Sequence, residues 1–536
     1  MAFAKKILII LAMAFILLVA AIPAQAKSGH ITLLTVVDLG NESEGGTADL
    51  YLDVRQGTGA IFIDSLPLTK LDTQISTRIA NEIACDFLRK DCSKYDFFYR
   101  IRADSSVVGG PSAGAGIAVL TASVLDNLDL RQDAAITGTI NSGAIIGPVS
   151  GLKEKALAAQ RKGLNMVLLP SWFIAEPSAD LNLSNASLGN FSLINWSAEK
   201  KESEKEFEDF IESFSENYST KIVRVSNLGD ALFYFTGKKY DNKKNEILVP
   251  EEYTLTMKRV SESLCKRTEE LSKKASSSAP RAYAEDANIS GNASSLLRQR
   301  ESTLNKTRAL QEKSSNLTKA GRHYSAASYC FTANVALQKE IFGSLSEEEL
   351  KKELLQTKRQ IDRFEKYIDN KQLETIANLE VYMLVKERTV EAKELLDKQD
   401  RENISASETA YAIERYVSAI SWAEFFDFPG KKIKLDEEHL RAGCLKKIKE
   451  VEERTNYMRI FFPALTGSLE KDLSATYESM SNSDYELCIF TASKVKAGAD
   501  GILSSAYLDR EQLNSFIEEQ LYSVKKLIIS EQEQDF

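Results

Sequence analysis

Histidine is almost missing from this chain. Its 536 residues contain three, His30, His323 and His439, and only His30 stands in the half of the chain where glycine and proline punctuate short segments. A hydroxyl nucleophile activated by imidazole needs a histidine beside it, so a Ser-His-Asp arrangement is disfavoured. Cysteine is sparse as well: Cys85, Cys92, Cys265, Cys330, Cys444 and Cys488 show no C-x-x-C spacing, which argues against zinc and dithiol redox sites. No metal and no cofactor is expected. There is no Gly-x-x-x-x-Gly-Lys-Ser/Thr phosphate loop; Gly237-Lys238-Lys239 lacks both the preceding glycine and the hydroxyl. Basic excess is missing too. With 68 Lys and Arg against 77 Asp and Glu the net charge is −9, which gives no field for nucleic acid.

Long apolar runs are absent except one. Lys5 and Lys6 precede an apolar stretch from Ile7 to Ile22, followed by Pro23 and Ala24-Gln25-Ala26. That order is a secretory signal peptide cleaved after Ala26, or an uncleaved membrane anchor through residues 7–22; residues 1–26 are set apart on either reading, and both place the protein outside the cytoplasm. Asn-X-Ser/Thr sequons support export, at Asn41, Asn182, Asn185, Asn190, Asn195, Asn217, Asn288, Asn292, Asn305, Asn316 and Asn403. The cluster from Asn182 to Ser197 reads as a glycan-bearing loop of a surface glycoprotein. Many sequons on a His-poor exported chain suggest an archaeal cell surface. An even cysteine count outside the cytoplasm permits disulfides. Cys85 and Cys92 can bridge only if a helix breaks between them, and for the other four, bridges and buried thiols stay equally open.

Two textures divide the chain. Residues 27–240 mix strand-like runs (Ile31–Asp38, Ala48–Val54, Ala60–Ile63, Phe97–Ala103, Met166–Leu169) with helical periodicity at Asp72–Arg89, Ala113–Leu125, Leu152–Lys162 and Leu228–Phe235. The class is α+β, with a polar insertion at 171–220 carrying a short helix around Glu204–Phe214. From residue 250 to 536 glycine and proline thin out, and Lys, Glu, Leu and Ala take heptad-like spacing. This is a mainly helical region. Tyr324/Ala327/Tyr329, Tyr416/Ala419/Trp422 and Tyr485/Cys488/Phe490 hint at degenerate helical repeats, although their irregular spacing favours ordinary bundle packing.

Chemistry concentrates in Gly109-Gly110-Pro111-Ser112-Ala113-Gly114. Glycines and a proline lead into one serine, and an alanine-rich helix follows. A hydroxyl there stands at a helix N-terminus, where N–H groups are unpaired and the dipole end is positive. Such a place suits a developing oxyanion, with donors from Ser112 itself and from Gly109 or Gly110, since Pro111 has none. A serine still needs a base, and without histidine a buried lysine is the candidate, because desolvation disfavours its charged form. Gly147-Pro148-Val149-Ser150-Gly151-Leu152-Lys153-Glu154-Lys155 is a turn feeding a helix that opens with lysines. Lys153 and Lys155 lie about 200° apart on a helix. Leu152, Ala156 and Ala159 mark an apolar stripe beside Lys155, so Lys155 points inward and Lys153 outward. Before it, Ala135-Ile136-Thr137-Gly138 reads as a buried strand ending in a hydroxyl and a turn.

In that order these blocks resemble the proteolytic domain of Lon proteases: Gly110–Gly114, then Ala135–Gly138, then Gly151–Ala159 (GLKEKALAA), closed by Gly163–Pro170 (GLNMVLLP). The resemblance spans roughly Ile31–Phe235. It implies a Lon-type fold and a Ser–Lys dyad with Ser112 as nucleophile, Lys155 as base and Thr137 hydrogen-bonding that lysine. It also implies a ring-like homo-oligomer. The family's acidic residue three positions before the serine is Gly109 here, the glutamate after Thr-Gly is Thr139, and the glycine pair before Leu-Lys-Glu-Lys is Ser150-Gly151. These changes bear on the shape of the oxyanion loop.

The expected activity is an exported or membrane-tethered serine endopeptidase acting on unfolded polypeptides through Ser112 and Lys155, without ATP. The alternative is a non-catalytic surface binding or scaffold protein that keeps the fold. An ATP-driven protease is disfavoured by the missing phosphate loop.

Overall fold

The computed structural model describes residues 27–38, 43–66, 68–103, 109–171, 199–240, 247–277, 290–401, 404–462, 465–505 and 510–532. The N-terminal segment 1–26 and the sequon cluster lie outside them. By contacts the chain forms two compact units. The first is Met1–Lys244 with Glu452–Leu469 and Lys496–Leu527; the second is Asn245–Val451 with Glu470–Val495 and Ile528–Phe536. The helical stretch that follows residue 250 is therefore not one unit by itself, because two of its segments count with the α/β part.

The first unit is α/β, built on a mixed seven-stranded sheet. Its strands are β1 (Lys27–Asp38), β2 (Ser43–Gln56), β3 (Ile61–Leu66), β4 (Tyr95–Ala103), β5 (Ala134–Ile136), β8 (Met166–Pro170) and β9 (Lys221–Val225), in the order β3-β4-β2-β1-β5-β8-β9. β1 pairs antiparallel with β2 and parallel with β5, setting Leu33 opposite Ile136. The short β5 thus ends in the middle of the sheet. A separate hairpin joins β6 (Thr139–Asn141) to β7 (Ile145–Gly147).

Helices cover the sheet where their apolar faces dictate. α2 (Gly114–Leu125, GAGIAVLTASVL) is apolar all round and all of it is buried, as such a composition requires. α1 (Leu71–Leu88) ends at Arg89 in the left-handed region, φ 55°. That break lets Cys92 turn back to Cys85, and the two form a disulfide with Cα atoms 6.1 Å apart. α3 (Leu152–Arg161) lies close over the sheet because β2 carries Gly45 beneath it: a Cβ there would stand 2.0 Å from the Glu154 carbonyl oxygen.

Residues 171–220 are not all peripheral. α4 (Glu199–Asn217) is longer than the helix expected at Glu204–Phe214, and it buries Phe207 and Phe214 against Leu152, Ala156, Ala159 and Val167. The insertion reading gave weight to polar composition, whereas Phe207, Phe210, Ile211 and Phe214 recur at helical spacing and bind this helix to the core. Just past that insertion, β9 is an edge strand the sequence reading did not include, followed by α5 (Leu228–Thr236), the helix expected at Leu228–Phe235.

The second unit is helical: α6 (Glu251–Ser277), α7 (Ser290–Lys319), α8 (His323–Phe342), α9 (Glu347–Asp369), α10 (Ile376–Arg401), α11 (Ala406–Trp422), most of α12 (Glu437–Phe461), α13 (Gly467–Ser481) and the first half of α14 (Tyr485–Ser505). α9 opens with a capping box in which Ser346 and Glu349 satisfy each other's backbone N–H. Val260, Leu264, Ala327, Val385 and Ala419 share one core. Disulfides Cys265–Cys330 and Cys444–Cys488 staple α6 to α8 and α12 to α14, so the four cysteines left open by the sequence are bridged. Arg267 meets the buried Glu414 through two guanidinium nitrogens, the geometry that makes a buried carboxylate tolerable. No described helix is long and apolar enough to cross a membrane.

If α4 is core, Phe214→Ala should lower unfolding stability by about 3–5 kcal/mol, the usual cost of emptying a packed phenylalanine site. Denaturant titration of the full chain measures this. A loss below about 1 kcal/mol would mean the helix is an attachment the fold does without.

Candidate active site

Ser112 sits in a tight turn, Pro111–Ala113, directly before α2. Gly110 enters that turn at φ 95°, a conformation open to glycine and strained for residues with a Cβ. No side chain would be blocked there by space, since nothing lies within 4 Å of a Cβ at that position; the requirement is one of backbone alone. The turn is held from two sides. From β5, the Gly138 N–H donates to the Ser112 carbonyl at 2.9 Å and Thr137 Oγ1 donates to the same oxygen at 3.3 Å. From α1, Asp72 Oδ2 accepts the Gly110 N–H at 3.0 Å, Thr73 Oγ1 donates to the Gly110 carbonyl at 3.2 Å, and Ser76 Oγ donates to the Pro111 carbonyl at 3.3 Å.

Lys155 is 3% exposed. It belongs to the inward stripe of α3 with Leu152, Ala156 and Ala159, above Ala135 and Val167. Its Nζ donates to the Ser150 carbonyl at 3.0 Å. Burial brings the amine down from 10.5 to about 8, against the opposing pull of the Glu154 carboxylate. Desolvation is thus the dominant cause. Lys153 is less buried and lies with Nζ 6.0 Å from the centre of the Phe210 ring, an amphipathic lysine packed on an aromatic face.

The residues singled out in the sequence are brought together only in part. Ser112 and Thr137 are joined, but through the serine backbone: Thr137, fully buried, spends its hydroxyl on the Ser112 carbonyl and not on the lysine. Among the described residues no hydrogen bond links the Ser112 hydroxyl to Lys155 Nζ. Gly110 cannot serve as an oxyanion donor in this arrangement, because its N–H is committed to Asp72. Gly109 is exposed, with the Lys70 side chain crowding its Cβ position at 2.7 Å. The Ser112 N–H makes no hydrogen bond outside its own turn among the described residues, so it is open to donate.

Asp72, Thr73, Ser76 and Ser150 were missed. Ser150 acts through its carbonyl, which no side-chain pattern announces. Asp72 and Thr73 open a helix, where such residues ordinarily serve as caps; Asp72 does accept the Thr73 N–H at 2.6 Å, and its second oxygen is what reaches the serine turn. Among the described residues no cluster of His, Cys, Asp and Glu is arranged to hold a metal ion.

The segment that carries these residues has known relatives. Residues 88–178 match the family model of the Lon protease (S16) C-terminal proteolytic domain, a segment that contains Ser112, Thr137 and Lys155. Similar proteins include the Lon protease of Paraburkholderia phytofirmans, 41% identical over 90 residues, 16% of this chain and 11% of that one. The peroxisomal Lon protease homolog 2 of Caenorhabditis elegans is 52% identical over 61 residues, 11% of this chain and 8% of its own. The Lon protease of Fervidobacterium nodosum is 34% identical over 130 residues, 24% of this chain and 16% of its own. The chain thus covers 8–16% of the length of these relatives. The likeness lies in the segment that carries Ser112, Thr137 and Lys155.

Burial of Lys155 has a signed consequence for stability. Between pH 8 and 10.5 the unfolded chain holds a proton that the folded chain has released, so stability rises with pH across that window and the full penalty is present below it. Lys155→Met keeps the methylene packing and removes the penalty. It should melt no lower than the parent at pH 7, and its advantage should shrink toward pH 10. A variant that melts lower at pH 7 by a margin independent of pH would contradict the burial argument.

Proposed function

We propose that this chain is an exported or membrane-tethered endopeptidase in which the Ser112 hydroxyl attacks the scissile carbonyl and Lys155 takes its proton. The observation that carries the proposal is the buried Lys155 amine, brought down to about 8, in the same matched segment as a serine at a helix start. A neutral amine near working pH can accept the hydroxyl proton and return it to the leaving amine. The Ser112 N–H, at the positive end of the buried α2, faces the developing oxyanion. Thr137 holds the serine backbone while Ser150 holds the lysine.

Unfolded polypeptide is the substrate class. β3 is one of the two edges of the sheet among the described residues and exposes Phe62 and Leu66, with Leu68 and Leu71 beyond it. The chain then passes Lys70, whose side chain lies against Gly109. An extended peptide added to that edge would run toward Ser112 with apolar side chains on an apolar margin. Folded proteins should resist, since the chain has no phosphate loop and ATP supplies it nothing. The three disulfides support an oxidising location, in line with the N-terminal apolar run and the sequons. The helical second unit is assigned to substrate binding, self-association or contact with the cell envelope.

The test is labelling of Ser112 by a serine-acylating probe, followed by hydrolysis of an unfolded protein with and without ATP. Labelling should be lost in Ser112→Ala and fall on the order of 10²–10⁴-fold in Lys155→Ala, while Lys153→Ala stays near the parent. The rate should rise with pH through a midpoint near 8, where Lys155 becomes neutral. An unlabelled Ser112 in intact parent protein would leave the scaffold reading; dependence on ATP would overturn the nucleotide-free mechanism. For export, intact-mass measurement of native material should find a chain starting near Lys27 or a membrane-bound chain retaining residues 7–22, with glycans on the Asn182–Asn195 sequons. An unmodified soluble chain beginning at Met1 would contradict it.

A further inference from the structure

The β6–β7 hairpin is the covalent link between the two halves of the candidate site. On one side it leaves Thr137 and Gly138, which hold the Ser112 carbonyl. On the other it returns through Gly147 to Ser150, whose carbonyl holds Lys155 Nζ. The hairpin pairs only Thr139 with Gly147, Ile140 with Ile146 and Asn141 with Ile145, and it stands apart from the main sheet. A two-stranded ribbon of this size has little stability of its own. Whatever grips it sets the separation of serine and lysine.

Its root is held by the Ile146 N–H donating to the Ser226 carbonyl. Its tip is held by the late segment of the chain that counts with the same unit. Ser142 Oγ donates to Asp500 Oδ2 at 2.7 Å. Asp500 is itself fixed by Arg454 Nε at 2.7 Å, an arginine whose side chain is only 3% exposed. From α15 (Arg510–Gln532), Gln520 Nε2 donates to the Ser142 carbonyl at 3.2 Å and Ser523 Oγ to the Gly143 carbonyl at 3.4 Å. Phe516 packs on Ile145. Gly143, at φ 78°, makes the approach feasible, because a Cβ there would stand 2.9 Å from the Gln520 amide. A buried arginine–carboxylate pair aimed at one hydroxyl, with a second helix on the adjacent carbonyl, is a built contact.

We propose that the C-terminal segment completes the peptidase site: Asp500 and Gln520 fix the hairpin tip, and Ser142 is a positioning residue for the Ser112–Lys155 pair. This inference rests on the Ser–Lys reading above. Ser142→Ala removes the hydroxyl and leaves the Arg454–Asp500 pair intact, which avoids the unfolding that an uncompensated buried arginine would invite. Gln520→Ala is the independent second variant. In the full-length protein each should slow acylation of Ser112 and lower kcat by about 10- to 100-fold, the scale of a small misplacement of catalytic groups. KM should stay within about twofold, since binding is not what the latch controls. Ser142→Thr should restore the rate. Acylation of both alanine variants at the parent rate would overturn the latch. Should the parent itself resist labelling, the Ser–Lys reading fails by that result, and amide exchange decides the latch: Ile140 and Ile146 should exchange faster in Ser142→Ala than in the parent, and equal exchange would refute it.

Discussion

A lysine amine kept out of water is the constraint on which this site depends. Lys155 reaches its place because α3 presses on the sheet, and α3 can press because Gly45 offers no side chain beneath Glu154 and because Ala156 and Ala159 are small. α4 closes the same core from outside with Phe207 and Phe214. With water excluded and one carbonyl as hydrogen-bond partner, the charged amine loses more solvation than it regains, and its proton affinity falls. Packing thus leaves an amine that is neutral near pH 8, which in the proposed mechanism is what a serine lacking a histidine requires.

The serine side is organised by backbone contacts. The Ser112 carbonyl accepts from Gly138 and Thr137, while Asp72, Thr73 and Ser76 hold Gly110 and Pro111. Five contacts fix the three residues Gly110–Ser112 and leave the Ser112 hydroxyl outside all of them. Ser112 is oriented by its main chain, and in the proposed mechanism its side chain is left to meet lysine and substrate. The site is therefore assembled from two separately anchored pieces, with the β6–β7 hairpin running between them.

Much of this was legible in the sequence for identifiable reasons. α1, α3 and α5 carry apolar periodicity, α2 is an unbroken apolar run, all four sit between glycines, prolines or polar turns, and β2 and β4 alternate buried with more exposed positions. The inward turn of Lys155 followed from Leu152, Ala156 and Ala159 alone. What escaped was short or carried by backbone. Strands of three residues, such as β6 and β7, are too brief to show a period. The acceptor at Ser150 is a carbonyl, and the reach of Asp72 to Gly110 joins residues 38 positions apart. The grouping of Lys496–Leu527 with the α/β unit could not be read either, since its contacts, Ser142 to Asp500 above all, span hundreds of residues.

The protonation of Lys155 can be observed without turnover. In protein carrying Ser112→Ala and a nitrogen-15 label in lysine, the Lys155 Nζ resonance is followed against pH and assigned by its loss in Lys155→Met. A midpoint near 8 is expected from its burial. A midpoint at the ordinary lysine value near 10.5 would show an amine charged at working pH, and Lys155 could not be the base.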